Sequence, residues 1–306
     1  MISSRSRYYL LGALLALAPA GSVSPQSGVP RIDQSQSAQD RDYFVCPMHP
    51  EVRSSVPGDC PKCRMALVPA ILDRIEYPMQ VGIVPRNFRP GETVDLTFSI
   101  SDPKTGKPAA EFLPVHTRLL HLFVISEDLQ WFLHEHPELR RDGAFHYATK
   151  FPKPGMYRML ADFYPQGGMP QGAVATIVAP GVSAPPPKLE QDLTAKRAEN
   201  LQFELKLDPP EPVAGQLTRL IIRVAPESGL EQYLGAWAHM LAASDDLIDL
   251  IHDHPWLADG GPQMQFNVIF PRARTYRVWI QAQRNGVVNT AAFNVSASEL
   301  SGPRDR

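Results

Sequence analysis

The chain has 306 residues, with 30 lysines and arginines against 32 aspartates and glutamates, and a formal net charge of −2 at pH 7. So even a balance gives no electrostatic reason to expect a nucleic-acid or anionic-lipid partner. A hydrophobic content of 43% allows two ordinary cores, while 31 prolines favour loops and sheet edges over long helices.

At the start of the chain, Arg5 and Arg7 precede an apolar stretch from Tyr8 to Ala18, and Ala18-Pro19-Ala20 has the small-x-small form of a cleavage site. The apolar run is too short to cross a bilayer, so residues 1–20 read as a secretory signal peptide cleaved near Ala20. The product is expected to be periplasmic or secreted, with no stable membrane span. Residues 21–42 are polar and rich in Ser and Gln, and are expected to be a disordered linker.

All three cysteines fall within residues 43–70, as Cys46-Pro-Met-His49 and Cys60-Pro-Lys-Cys63. Each pair spans one tight turn, and ten residues separate the pairs, a spacing that suits one tetrahedral ion held by Cys46, His49, Cys60 and Cys63. Met48 and Met65 are further thioether candidates. The competing reading is a redox or accidental CxxC, but a thioredoxin-like pair should open a helix in a βαβ unit, and no such pattern surrounds Cys60 and Cys63. Gly58 is read as supplying the turn before the second knuckle. The string from Tyr43 to Pro69, YFVCPMHPEVRSSVPGDCPKCRMALVP, resembles the heavy-metal-binding domain appended to metal-transporting P-type ATPases and to adaptor subunits of metal efflux systems. That resemblance implies a copper or zinc ion as cofactor and a periplasmic efflux or transport component as partner. Arg64 stands where that family usually has Gly; a turn of positive φ there would strain it.

Beyond the module the sequence repeats itself. HLFVISEDLQWFLHEHP at 121–137 aligns without a gap on HMLAASDDLIDLIHDHP at 239–255, and Phe151-Pro152 with Tyr157-Arg158 matches Phe270-Pro271 with Tyr276-Arg277. Short alternating apolar runs, such as TVDLTFSI and MYRMLADFY in the first copy or LTRLIIRV and YRVWIQAQ in the second, are separated by Pro, Gly and Asp turns. The fold class expected is mainly β: two immunoglobulin-like antiparallel sandwiches, at 71–180 and 199–299, related by internal duplication. The segment 181–198 reads as a linker with at most a short helix near 191–199, and 300–306 as a tail.

Six histidines occupy equivalent places in the copies: His121, His134 and His136, then His239, His252 and His254. If the hairpin turn centres on Asp128-Leu129, His121 faces His136 and His239 faces His254, so that three imidazoles converge on each hairpin. Phe123, Ile125 and Phe132, or Leu241, Ala243 and Leu250, share those faces, with Asp128, Asp246 or Met240 nearby as extra donors. These histidines are second-tier metal candidates, set against a scaffold role inherited through duplication. His116 and His146 occur only in the first copy.

The leading expectation is an exported copper- or zinc-binding protein for metal capture, transfer or resistance, working by ligand exchange rather than as an enzyme. One alternative is a periplasmic interaction scaffold of a metal efflux system, with the sandwiches as partner-binding modules. Another is a metalloenzyme with an open three-histidine site.

Overall fold

The computed structural model describes residues 43–49, 52–70 and 76–300. The signal peptide and the 21–42 linker read from the sequence lie outside these residues, as do Pro50, Glu51 and 301–306 of the tail. Among the described residues every regular element is a strand, and no helix is long and apolar enough to cross a membrane.

The small module is a three-stranded antiparallel sheet of order β2-β1-β3, from β1 (Tyr43–Val45), β2 (Arg53–Ser54) and β3 (Val68–Ala70). Its two knuckles are the connections between these strands. The first sandwich runs through β4 (Met79–Val84), β5 (Thr93–Ile100), β6 (Phe112–Leu113), β7 (Leu120–Ser126), β8 (Phe132–Glu135), β9 (Glu138–Leu139), β10 (Phe145–Lys150), β11 (Gly155–Pro165) and β12 (Gln171–Ala179). One sheet has the order β4-β5-β10-β9 and the other β12-β11-β7-β8, with β6 beside the end of β11, all antiparallel. The second sandwich repeats the plan with β13 (Lys196–Arg197), β14 (Gln202–Asp208), β15 (Leu217–Ala225), β16 (Leu230–Glu231), β17 (His239–Ser244), β18 (Leu250–Asp253), β19 (Gln263–Ile269), β20 (Thr275–Arg284) and β21 (Val287–Ser296). Its sheets are β13-β14-β15-β19 and β21-β20-β17-β18, with β16 beside the end of β20.

Period-two patterning places each core. Val94, Leu96, Phe98 and Ile100 of β5 point inward and meet Leu120, Leu122 and Val124 of β7, while Leu220, Ile222 and Val224 of β15 meet Met240 and Ala242 of β17. A tyrosine corner recurs in both copies: Tyr157 donates its hydroxyl to the Lys153 carbonyl at 2.8 Å, and Tyr276 to that of Arg272 at 3.0 Å.

Strands β7 and β17 break the alternation, because every residue in each is buried. A strand buried on both faces needs a second layer. Here that layer is the other sandwich: Phe123, Ile125, Leu129 and Leu160 pack with Leu241, Ala243, Leu247 and Trp279 in one apolar cluster. Phe132 stacks on Trp279 with ring centres 4.9 Å apart and planes 12° apart. The segment between the copies joins this architecture rather than tethering two beads. Leu189 is buried in the shared cluster, Asp192 bridges to Asn294, and β13 already belongs to the second sandwich. The helix allowed near 191–199 is absent, since pairing with β14 and β21 satisfies that backbone in extended form.

Candidate metal centres

In the module, backbone bonds wind each knuckle tightly: His49 N–H donates to the Cys46 carbonyl at 3.2 Å, and Arg64 N–H to the Cys60 carbonyl at 2.7 Å. The second turn requires a left-handed residue, and that residue is Arg64, at φ 60°. Gly58 does not adopt positive φ and has open space where a Cβ would stand, so the turn's strain falls on Arg64 rather than being relieved at Gly58.

Cys46, His49, Cys60 and Cys63 bring their ligand atoms within 4.8 Å of one another, as free thiols and one imidazole. Cys46 Sγ lies 3.4 Å from Cys63 Sγ and 3.5 Å from His49 Nδ1, and Cys60 Sγ lies 3.6 Å from the same nitrogen. A tetrahedron with metal–sulfur bonds of about 2.3 Å has sulfur–sulfur edges of roughly 3.8 Å and sulfur–nitrogen edges of roughly 3.6 Å, so these edges match a closed shell. The hydrogen bond from Cys46 holds the Cys63 thiol well below its ordinary value against the opposing effect of burial, and pushes Cys46 up. Met48 and Met65 pack with Val45, Val115 and Tyr164, and Met48 also lies against the cluster of Cys46 and Cys60.

The repeated histidines converge in both copies. The register of β7 on β8 pairs Phe123 with His134 and Leu122 with Glu135, which sets His121 across from His136. That of β17 on β18 pairs Leu241 with His252 and Met240 with Asp253, which sets His239 across from His254. In each triad the ligand atoms lie within 4.8 Å of one another.

Outer partners fix the tautomers. His121 and His239 donate Nε2–H to the carbonyls of Val115 at 2.9 Å and Tyr233 at 2.8 Å, in equivalent tight turns, which leaves each Nδ1 as a lone pair. His134 donates Nδ1–H to Gln281 Oε1 at 2.7 Å and His252 donates Nδ1–H to Asp162 Oδ2 at 2.5 Å, which leaves each Nε2 as a lone pair. His121 Nδ1 then stands 3.2 Å from both His134 Nε2 and His136 Nε2, and His239 Nδ1 2.8 Å from His254 Nε2. His252 Nε2 is buried with no hydrogen-bond partner. Inward lone pairs on four imidazoles held from outside have the chemistry that a borderline metal ion takes as ligands.

Burial disfavours the charged form of His121, His134, His136, His239 and His254. Desolvation, reinforced by neighbouring histidines, lowers His121 to about 4 and His136 to about 3, and holds His134, His239 and His254 well below the ordinary imidazole value. Three suggested donors stand elsewhere. Asp128 is engaged by Ser126 and Lys153 in its turn, Asp246 by Ser244 and Arg272, and Met240 points into the core of the second sandwich.

Three further residues stand at these centres, and His116, which the sequence ties to the first copy, lies against the second. His116, at φ 45°, is buried beside the second triad, its ring stacked 3.7 Å from that of His254. Asp253 is half-buried next to His254 and raised to about 6 by desolvation. Trp256 meets the module: the His49 ring lies edge-on to it with ring centres 6.2 Å apart, and Lys62 Nζ stands 5.5 Å from the centre of its ring. Pseudosymmetry could have flagged His116, which stands where the second copy has Leu234, both left-handed.

Residues 43–70 match the family described as Heavy metal binding domain, and residues 76–179 and 189–299 each match Domain of unknown function (DUF8832). Among curated relatives, a copper-transporting P-type ATPase of Rhizobium leguminosarum bv. viciae is 73% identical over 26 residues, covering 8% of this chain and 3% of the relative. A copper-exporting P-type ATPase of Legionella pneumophila is 49% identical over 41 residues (13% and 6%), and a silver exporting P-type ATPase of Salmonella typhimurium 43% over 49 residues (16% and 6%). The chain thus spans only a few per cent of the length of these relatives. Among solved structures, the Yersinia pseudotuberculosis adhesin InvE aligns at 11% identity and a TM-score of 0.23, covering 72% of this chain and 60% of its own. A two-domain fibronectin type III segment of chicken tenascin aligns at 9% and 0.22, covering 72% and 100%.

Proposed function

The chain belongs to the DUF8832 family, and we propose that it is an exported copper-handling protein, in which the cysteine module captures the ion and the paired sandwiches hold or pass on further ions. The observation that carries this reading is the set of inward lone pairs: two histidine triads, each fixed from outside by carbonyl, amide or carboxylate acceptors, beside a thiolate-imidazole shell of tetrahedral dimensions. Copper is preferred over zinc because the matched relatives transport copper and silver, and because thiolates flanked by Met48 and Met65 suit a soft monovalent ion.

The mechanism is ligand exchange, not catalysis. Burial of the triads between two sandwiches supports retention of an ion over turnover of a substrate. The module meets the second sandwich at Trp256, beside His254, which supports movement of metal between the centres. A periplasmic efflux or transport component is the recipient in this reading.

The test is competition for Cu(I) against a chromogenic chelator under anaerobic conditions, comparing the wild type with the Cys60→Ser/Cys63→Ser variant. Loss of one equivalent at the highest affinity, with the remaining uptake intact, is expected. Unchanged uptake in the variant would remove the capture role from the module.

A further inference from the structure

Two histidine triads in a duplicated protein would ordinarily be two copies of one site, each belonging to its own domain. Here they are not separate. His121 and His134 of the first sandwich lie with ring centres 5.8 and 6.2 Å from His252, and 6.1 and 5.4 Å from His239, across the interface. These spacings are close to those within a triad, where His121 and His134 are 5.5 Å apart and His239 and His252 6.1 Å.

The orienting residues are exchanged between the sandwiches. His134, on β8 of the first, is held by Gln281 on β20 of the second; His252, on β18 of the second, is held by Asp162 on β11 of the first. Asp162 and Gln281 are equivalent positions: Asp162 pairs with His121 on the neighbouring strand, and Gln281 pairs with His239. The interface is therefore reciprocal about a pseudo-twofold axis, and neither sandwich alone contains a complete site. Six inward donor atoms exceed what one four-coordinate ion takes up, and they divide into two clusters.

We propose that the six histidines form one two-ion compartment closed by both sandwiches, in which each sandwich supplies the residue that positions a ligand of the other's ion. This rests on the metal-handling reading above and deepens it. The halves are unequal: a carboxylate backs His252 where an amide backs His134, so the His239–His252–His254 cluster is the stronger donor set and the better host for the more highly charged ion. Ions held this close repel, so the second enters more weakly than the first.

The experiment uses the full chain with Cys46, Cys60 and Cys63 changed to Ser, so that no thiol reduces the probe, titrated with Cu(II) and read by electron paramagnetic resonance. Two equivalents with dipolar broadening and a half-field transition are expected. Two equivalents with well-separated, uncoupled spectra would overturn the shared compartment and leave the metal-handling reading standing. A single equivalent would overturn the two-ion count. No uptake at all would remove the histidines from both.

A second measurement does not depend on how the Ser variant folds. Co(II) bound to the wild-type chain gives thiolate charge-transfer bands at the cysteine site and ligand-field bands alone at nitrogen sites. Asp162→Asn, a change in the first sandwich, should weaken one nitrogen site by about 10- to 100-fold. Gln281→Ala should weaken the other, with the thiolate bands unmoved in both variants. Equal weakening of both sites by either change, or none, would overturn the cross-domain assignment.

Discussion

Replacing Phe123 by Ala tests whether the two sandwiches form one unit. Phe123 is 1% exposed, yet it lies in the shared cluster rather than in the core of its own sandwich. Its ring stacks on His134 at 4.2 Å and 19°, and stands 4.5 Å from His252 of the other copy. Removing a buried aromatic ring takes roughly 150 Å² of apolar contact away, about 4 kcal/mol at about 25 cal/mol per Å². That figure agrees with the roughly 3–5 kcal/mol typical of Phe→Ala in a core. The loss falls on the interface, because the β5–β7 packing that closes the first sandwich does not involve Phe123. Scanning calorimetry should show the wild type unfolding in one transition and the variant in two, with the first lowered by on the order of 10 °C. Metal affinity at both triads should fall together. A single transition with a stability loss of less than about 1 kcal/mol would refute the shared interface and the compartment built on it.

Arg64→Gly relieves the left-handed strain at the second knuckle, so the metal-loaded module should gain about 1 kcal/mol, read as several-fold slower loss of metal to a chelator. The apo protein should lose stability as pH falls from about 6.5 towards 4. His121 has a folded value of about 4, so over that range the unfolded chain binds the extra proton; urea unfolding at several pH values measures the slope. For the same reason the triads should keep their metal below pH 6, where exposed imidazoles would release it, as equilibrium dialysis at pH 5 would show. Export is checked by intact mass, with cleavage after Ala20 expected and retention of Met1 in a cytoplasmic product against it.

The fold was largely legible because period-two patterning and the gapless duplication each carry a physical meaning: alternation sets the faces, and a shared turn sets the register. The turn at Asp128-Leu129 was enough to place His121 across from His136, and Leu129 and Leu247 both hold the left-handed conformation that this turn needs. The cysteine set was legible from spacing alone.

The interface between the sandwiches was not legible. Nothing local in HLFVIS or HMLAAS says which apolar face meets its own core and which meets the other domain; the sign was an unbroken apolar run on both faces between a terminal histidine and serine. The partners of those histidines, Asp162 and Gln281, sit on strands far away in sequence, so only tertiary pairing reveals them. The segment at 181–198 misled for the opposite reason: its Pro and charge content resemble a tether, while Leu189 and Asp192 anchor it.

The most direct test of the account is the metal stoichiometry of the full chain, measured by anaerobic dialysis against buffered Cu(I) followed by native mass spectrometry. Three ions per chain are expected: one lost when Cys60 and Cys63 are changed to Ser, and two lost when His121 and His239 are changed to Ala. A chain that binds one ion at most, and keeps it through the histidine changes, would contradict the account.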